Sequence, residues 1–261
     1  MMEIVWIILK IVLWVLCGAV SYVLLCVLGA IITSLFVKKD RIYDRDNRYF
    51  RFVFNSMTGL VLLVCGVKIA VKNRELLPAG RFLIVSNHVS NFDPIVAWFA
   101  FKDRPISYIS KPSNLKIPFF GALARRCCFM SIDRQSARNA AVTIEHAAEL
   151  IKSDEVNVGV YPEGTRSKTG ELGRFHNCVF KIAQKANVPI VIMRTEGTEN
   201  IKKNAPFKKS RVVLDIIRVL SAEETAGMPT AEIGDITRAC LLGEELNPAA
   251  VRTGDGICEE Q

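Results

Sequence analysis

The chain has 261 residues, 50% of them hydrophobic and 23% charged, with a formal net charge of +8; that is enough for one α/β domain with a full core and something more. A disulfide scaffold is excluded, because Cys17 and Cys26 sit in an uncharged N-terminal run, Cys65 in a second apolar run, Cys127 and Cys128 are adjacent, and no C-x-x-C occurs. No nucleic-acid partner is expected either: zinc-ligand spacing, an RNP-like aromatic pattern and a basic reading helix are missing, and the basic clusters Lys202-Lys203 and Lys208-Lys209 fall in loops.

The first element is apolar. Residues 11–37 carry no charge, and extending back to residue 4 adds only Lys10. A helix over 4–37 would be roughly 50 Å long, against ~30 Å of hydrocarbon, so it must tilt, break near Gly18 or Gly29, or emerge from the bilayer. The run exceeds the about 7–15 apolar residues of a signal peptide, which makes it an uncleaved anchor. Lys38, Lys39, Arg41, Arg45, Arg48 and Arg51 follow it, whereas only Glu3 and Lys10 lie on the other side. That asymmetry predicts a main domain on the cytoplasmic side of the inner membrane. A second uncharged run, 52–67, is shorter than the ~20 residues of a perpendicular span. Either a helical pair dips into one leaflet, or one span is followed by an interfacial helix. Residues 1–37 hold one Glu and one Lys, so the whole +8 belongs to the remainder and favours anionic membrane lipids as partners.

Beyond the anchor, short apolar runs alternate with helical stretches. This predicts an α/β fold: a mostly parallel sheet covered by helices, behind an N-terminal membrane-embedded helical segment. Strands are expected at 82–86, 106–109, 129–132, 156–161, 189–194 and 211–219, and helices at 94–101, 137–152 and 177–187. In the second of these helices Val142, Ile144, Ala147, Leu150 and Ile151 recur near a 3.6-residue period, as in a helix covering a core. The chain divides into anchor helices (1–67), one globular catalytic domain (68–246) and a tail (247–261).

Three polar clusters end three of the predicted strands. The first is Asn87-His88-Val89-Ser90-Asn91-Phe92-Asp93-Pro94, at a strand's C-terminal end, where open α/β sheets place their sites. An Asp before Pro also serves as an ordinary helix N-cap, and a loop histidine can simply be solvated. Functionally, the imidazole of His88 takes a proton from an alcohol while Asp93, on its other nitrogen, fixes the tautomer and stabilises the imidazolium. This is the Ser-His-Asp logic with the substrate's own hydroxyl in place of the serine. The second cluster is Tyr161-Pro162-Glu163-Gly164-Thr165-Arg166-Ser167. Gly164 lets the backbone approach a ligand, Thr165 offers a hydroxyl, and Arg166 can grip a phosphate bidentately, although such a segment also makes an ordinary surface turn. Ser131-Ile132-Asp133-Arg134 is the third. Together, behind an anchor, they point to an enzyme acting on a phosphorylated lipid at a membrane surface.

In these motifs the chain resembles the lysophospholipid acyltransferase family, most closely its 1-acylglycerol-3-phosphate acyltransferases. Four blocks stand in family order: 87–93; Ser110-Lys111 with Ile117-Pro118-Phe119-Phe120-Gly121 and Ile132-Asp133-Arg134; 161–167; and Val188-Pro189-Ile190-Val191. The resemblance covers about residues 68–194. It implies acyl transfer from acyl-CoA or acyl carrier protein to the sn-2 hydroxyl of a 1-acylglycerol-3-phosphate, giving phosphatidic acid without cofactor or metal. By position, His88 is the base and Asp93 its orienting carboxylate, Lys111, Arg134 and Arg166 bind the phosphate, and Glu163, Gly164 and Thr165 shape the acceptor site. Ile117, Pro118, Phe119, Phe120 and Pro189, with the N-terminal helices, are expected to line a channel for the acyl chain. The chain departs from relatives at Phe175-His176-Asn177-Cys178, where many have a lysine-rich stretch with a glycine, and at Arg125-Arg126-Cys127-Cys128, which lacks a glycine before I-D-R. Cys178 reads as a buried helix-start thiol rather than a nucleophile. Other acceptors are glycerol-3-phosphate or another lysophospholipid. A thioesterase or lysophospholipid hydrolase would have no use for the three cations, and a non-catalytic membrane scaffold would leave the four blocks unexplained.

Overall fold

A computed structural model describes residues 2–38, 41–133, 136–167 and 170–244. The chain runs α1 (Met2–Leu35), α2 (Arg48–Val64), β1 (Val67–Lys72), β2 (Leu83–Ser86), α3 (Asp93–Ala100), β3 (Ile106–Ser110), α4 (Phe120–Arg126), β4 (Met130–Ser131), α5 (Ala137–Lys152) and β5 (Asn157–Val160). It continues through α6 (Lys181–Ala186), β6 (Ile190–Glu196), α7 (Ile201–Asn204), β7 (Ser210–Leu220), α8 (Ala222–Thr225) and α9 (Thr230–Leu242). Among these residues the strands form one sheet in the order β1-β7-β6-β2-β5-β3-β4.

The sheet is mostly parallel, as expected. β6, β2, β5, β3 and β4 run together, β7 is antiparallel to β6, and β1 is parallel to β7. The C-terminal ends of β6, β2, β5, β3 and β4 therefore share one edge with the starts of β7 and β1. All four residues of β2 are buried, because a central parallel strand is covered on both faces. Leu83 and Val85 join a cluster with α5, α6 and α9. Phe82 and Ile84 join another with α2, α3 and α4. Gly159 in β5 is required by the second face: a Cβ there would stand 2.4 Å from the Tyr108 ring.

One expectation is narrowed and two change. α1 is continuous over 34 residues, with no break at Gly18 or Gly29; it is apolar on every side and, among the described residues, the one helix long and apolar enough to cross a membrane. The second apolar run is not a membrane segment throughout. α2 buries Arg51, Val53, Phe54, Thr58 and Leu62 against the sheet domain, so the 67/68 boundary cuts through a shared core. Its exposed residues include Tyr49, Phe52, Leu63 and Val64. The helix expected at 177–187 divides into a 3-10 turn (Asn177–Phe180) and α6. Strand β1 and helices α4 and α9 were not anticipated, and the 247–261 tail lies outside the described residues.

Candidate active site

The site is built where β2 ends. The Asn87 side chain extends the sheet pairing: its Oδ1 accepts from Thr195 N at 2.8 Å and its Nδ2 donates to Thr195 O at 2.9 Å. That clamp on β6 fixes the loop that carries His88. The His88 N–H donates to Glu163 Oε1 at 2.7 Å, its carbonyl accepts from Ser167 N at 2.8 Å, and its ring stacks on Tyr161 with centroids 4.3 Å apart. Tyr161 stacks in turn on Tyr108 at 5.9 Å. Burial raises the pKa of both phenols, so they are neutral platforms at any physiological pH.

His88 Nδ1 lies 2.7 Å from Asp93 Oδ2. Asp93 is fully buried, and its carboxylate is fully occupied: Oδ2 also accepts from Val89 N and Ser90 N, each at 2.8 Å, and Oδ1 accepts from the Thr198 hydroxyl. The helix-cap reading of Asp93 is thereby corrected. Asp93 is the first helical residue, the cap position is Phe92, and the carboxylate turns back into the loop rather than onto the helix amides. Facing a carboxylate that only accepts, Nδ1 carries the proton and Nε2 is left as an acceptor. Such an imidazole can take a proton from a hydroxyl.

The second cluster ends β5, immediately beside β2. Glu163 is buried and braces two loops, since its Oε2 accepts from Gly173 N at 2.9 Å while Oε1 holds His88. Gly164 takes φ +66°, a left-handed turn suited to glycine. Thr165 and Arg166 follow it into solvent. Lys111, just past β3, is exposed as well. Neither cation has an ion-pair partner among the described residues. At ~4.8 Å between neighbouring strands, the ends of β2, β5, β3 and β4 fall within about 15 Å. Arg134, after β4, lies outside the described residues.

Four of the five expected channel residues lie together. Ile117, Pro118, Phe119 and Phe120 lead into α4, which packs on α2; Ile117 and Phe119 are exposed and Phe120 contacts Phe54 of α2 at 5.6 Å. From Phe54, ring contacts pass through Phe129 and Tyr108 to Tyr161 and His88. Pro189 does not join them. Its carbonyl accepts from Leu83 N at the start of β2, so it occupies the opposite sheet edge, roughly 15–20 Å from His88 at ~3.3 Å per residue. Sequence reasoning missed Thr198, Thr195 and Tyr108, which only the fold brings to this edge. Cys127 and Cys128 are buried thiols suited to packing rather than chemistry: burial pushes the Cys127 thiol up and that of Cys128 up to about 12. Cys178 sits half-buried in the 3-10 turn before α6.

A family model described as Acyltransferase matches residues 68–196. A probable 1-acyl-sn-glycerol-3-phosphate acyltransferase of Mycoplasma pneumoniae is 30% identical over 164 residues, 61% of each chain. The 1-acyl-sn-glycerol-3-phosphate acyltransferase of Haemophilus influenzae is 25% identical over 219 residues, 84% of this chain and 86% of the relative. The crystal structure of the 1-acyl-sn-glycerophosphate (LPA) acyltransferase PlsC from Thermotoga maritima shares the fold, with a TM-score of 0.59 at 20% identity, covering 74% of this chain and 78% of that one. The matched segment contains β2, β5, β3 and β4 with the His88–Asp93 pair and the Glu163 turn at their ends, and on these grounds the chain belongs to the acyltransferase family.

Proposed function

We propose that this enzyme transfers a fatty acyl group from a thioester to the free sn-2 hydroxyl of 1-acylglycerol-3-phosphate, forming phosphatidic acid. The observation that carries the reading is the His88 Nδ1 to Asp93 Oδ2 contact at 2.7 Å, which leaves Nε2 to face substrate, beside the ends of β5 and β3, where Arg166 and Lys111 have no ion-pair partner among the described residues. His88 Nε2 removes the sn-2 hydroxyl proton as that oxygen attacks the thioester carbonyl. The C–O bond forms, the tetrahedral adduct collapses with cleavage of the C–S bond, and the imidazolium returns the proton to the departing thiolate. Asp93 stabilises the imidazolium between the two steps. Proton transfer and charge stabilisation suffice, so no cofactor enters the chemistry.

Arg166, Lys111 and Arg134 hold the acceptor's phosphate, with Arg166 suited to a bidentate grip. Glu163, Gly164 and Thr165 shape the turn that presents Arg166. The acyl chain lies along Ile117, Pro118, Phe119 and Phe120 toward α2. Acyl-CoA and acyl carrier protein present the same thioester, and either satisfies this geometry. α1 anchors the chain, α2 lies at the interface, and the basic segment after α1 keeps the sheet domain on the cytoplasmic side.

The test is phosphatidate formation, followed by mass spectrometry, from 1-acylglycerol-3-phosphate and a long-chain acyl-CoA or acyl carrier protein in membranes. Wild type is expected to form product and His88→Ala to form none. Free fatty acid released in a His88-dependent way, without phosphatidate from either donor, would identify a hydrolase instead.

A further inference from the structure

We propose that α7 and the loop joining it to β7 form a second membrane contact, in which Phe207 enters an anionic bilayer surface and Lys202 and Lys203 of α7 bind its headgroups together with Lys208 and Lys209 of the loop. Phe207 is 94% exposed, the most exposed large apolar side chain among the described residues. The four lysines around it are exposed too, and no ion pair among the described residues engages them. The acidic residues of the same segment are Glu196 and Glu199, so positive charge dominates the loop. It is also held in place: Lys208 N donates to Asn204 O at 2.7 Å and Ala205 N to Ile201 O at 2.9 Å.

Its position makes the bilayer the fitting partner. Ser210 N donates to Gly66 O at 3.1 Å, and Gly66 packs on the Lys209 backbone. Gly66 follows the end of α2, where Leu63 is 75% and Val64 59% exposed. The loop thus adds one aromatic ring and a ring of cations to the apolar end of α2, on a chain whose first helix is apolar all round. An apolar tip with a lysine rim is the composition of an interfacial anchor on anionic lipid. The loop also lies at the reacting edge of the sheet. β7 starts there because it is antiparallel to β6, and Thr198, in the turn before α7, bonds Asp93 directly. A contact at this point would hold the mouth of the site against the surface from which a lysophospholipid arrives, a consequence that rests on the acyltransferase reading. The contact itself does not.

The test uses the full chain with Phe207→Trp as reporter, in a Trp6→Phe and Trp14→Phe background because those two lie on α1; buried Trp98 remains as a check of folding. The chain is reconstituted in vesicles of phosphatidylcholine, alone or with phosphatidylglycerol, with and without brominated acyl chains. In anionic vesicles bromine is expected to quench the reporter at least about twofold, and replacing the four lysines by Gln is expected to abolish most of that quenching. An unquenched reporter overturns the proposal, and protection of the lysine amines by a DNA duplex in that case would assign the loop to nucleic acid. Quenching that survives loss of all four lysines overturns it too, as mere proximity enforced by α1. Quenching without phosphatidate synthesis would defeat the acyltransferase reading alone, and synthesis without quenching this proposal alone.

Discussion

At the scale of single residues, the Asp93 carboxylate depends on a hydroxyl more than 100 positions away. Thr198 is fully buried and donates to Asp93 Oδ1, while Oδ2 serves His88. Removing that donor leaves a buried carboxylate lone pair unmet and frees the group to rotate away from Nδ1. Thr198→Val is expected to lower kcat about tenfold or more with KM nearly unchanged, and Thr198→Ser to restore most of it; an equal loss in both variants would show that Thr198 only packs. A second residue is held in a strained backbone conformation. Cys128 has φ +61°, the left-handed region in which glycine is unstrained, and its side chain is buried. Here Cys128→Gly relieves the backbone while Cys128→Ala keeps the strain, and both lose the same sulfur. The Gly variant should therefore be the more stable of the two by about 1 kcal/mol in denaturation experiments, the reverse of the order in an ordinary helix or strand.

At the scale of elements, what was legible followed from period and composition. β2 was legible as a short continuous apolar run because both its faces are covered, β5 and β3 as short, mostly apolar runs, and α5 through its 3.6-residue spacing. β1 was hidden because Val67–Lys72 follows directly on an apolar run, is bounded by Lys68 and Lys72 without strict alternation, and as an edge strand has no fully buried residue. α2 was misread for a related reason: apolar content does not say whether the partner is lipid or protein, and half of this helix faces the sheet. The His88 to Asp93 spacing was readable, since five residues of loop bring them together. Thr198, Tyr108 and Thr195 were not, because pairing between distant strands brings them in. One consequence belongs to α5. Burial lowers the pKa of His146 below its ordinary 6.5, against the pull of Asp44 at 3.2 Å. Below pH 6.5 the unfolded chain then binds a proton that the folded chain resists, so stability falls as pH drops through that window. His146→Gln should flatten the decline in Tm between about pH 7 and 5; an unchanged slope would place the acid sensitivity elsewhere.

At the scale of the whole molecule, α2 joins two environments. Its buried face carries Phe54 into the ring series that ends on Tyr161 and His88, and its exposed face continues the apolar surface of α1. The segment before α4 lies beside α2, with Phe120 in contact with Phe54 and Phe119 exposed at φ +61°, a costly conformation for an aromatic residue. On the acyl path proposed above, a chain leaving the bilayer beside α2 meets Phe119 before the reacting carbon reaches His88. If that path is used, bulk at Phe119 must limit how much chain lies beyond the thioester, without touching the His88–Asp93 pair. Phe119→Trp is expected to lower kcat/KM for long-chain donors by about tenfold relative to short ones, and Phe119→Ala to shift preference toward longer chains, the scale of discrimination that one side chain in an apolar pocket provides. Competition between donors of different length in one reaction, read by product mass, measures the ratio directly. An unaltered chain-length profile in both variants would mean that the chain enters along another face of α2.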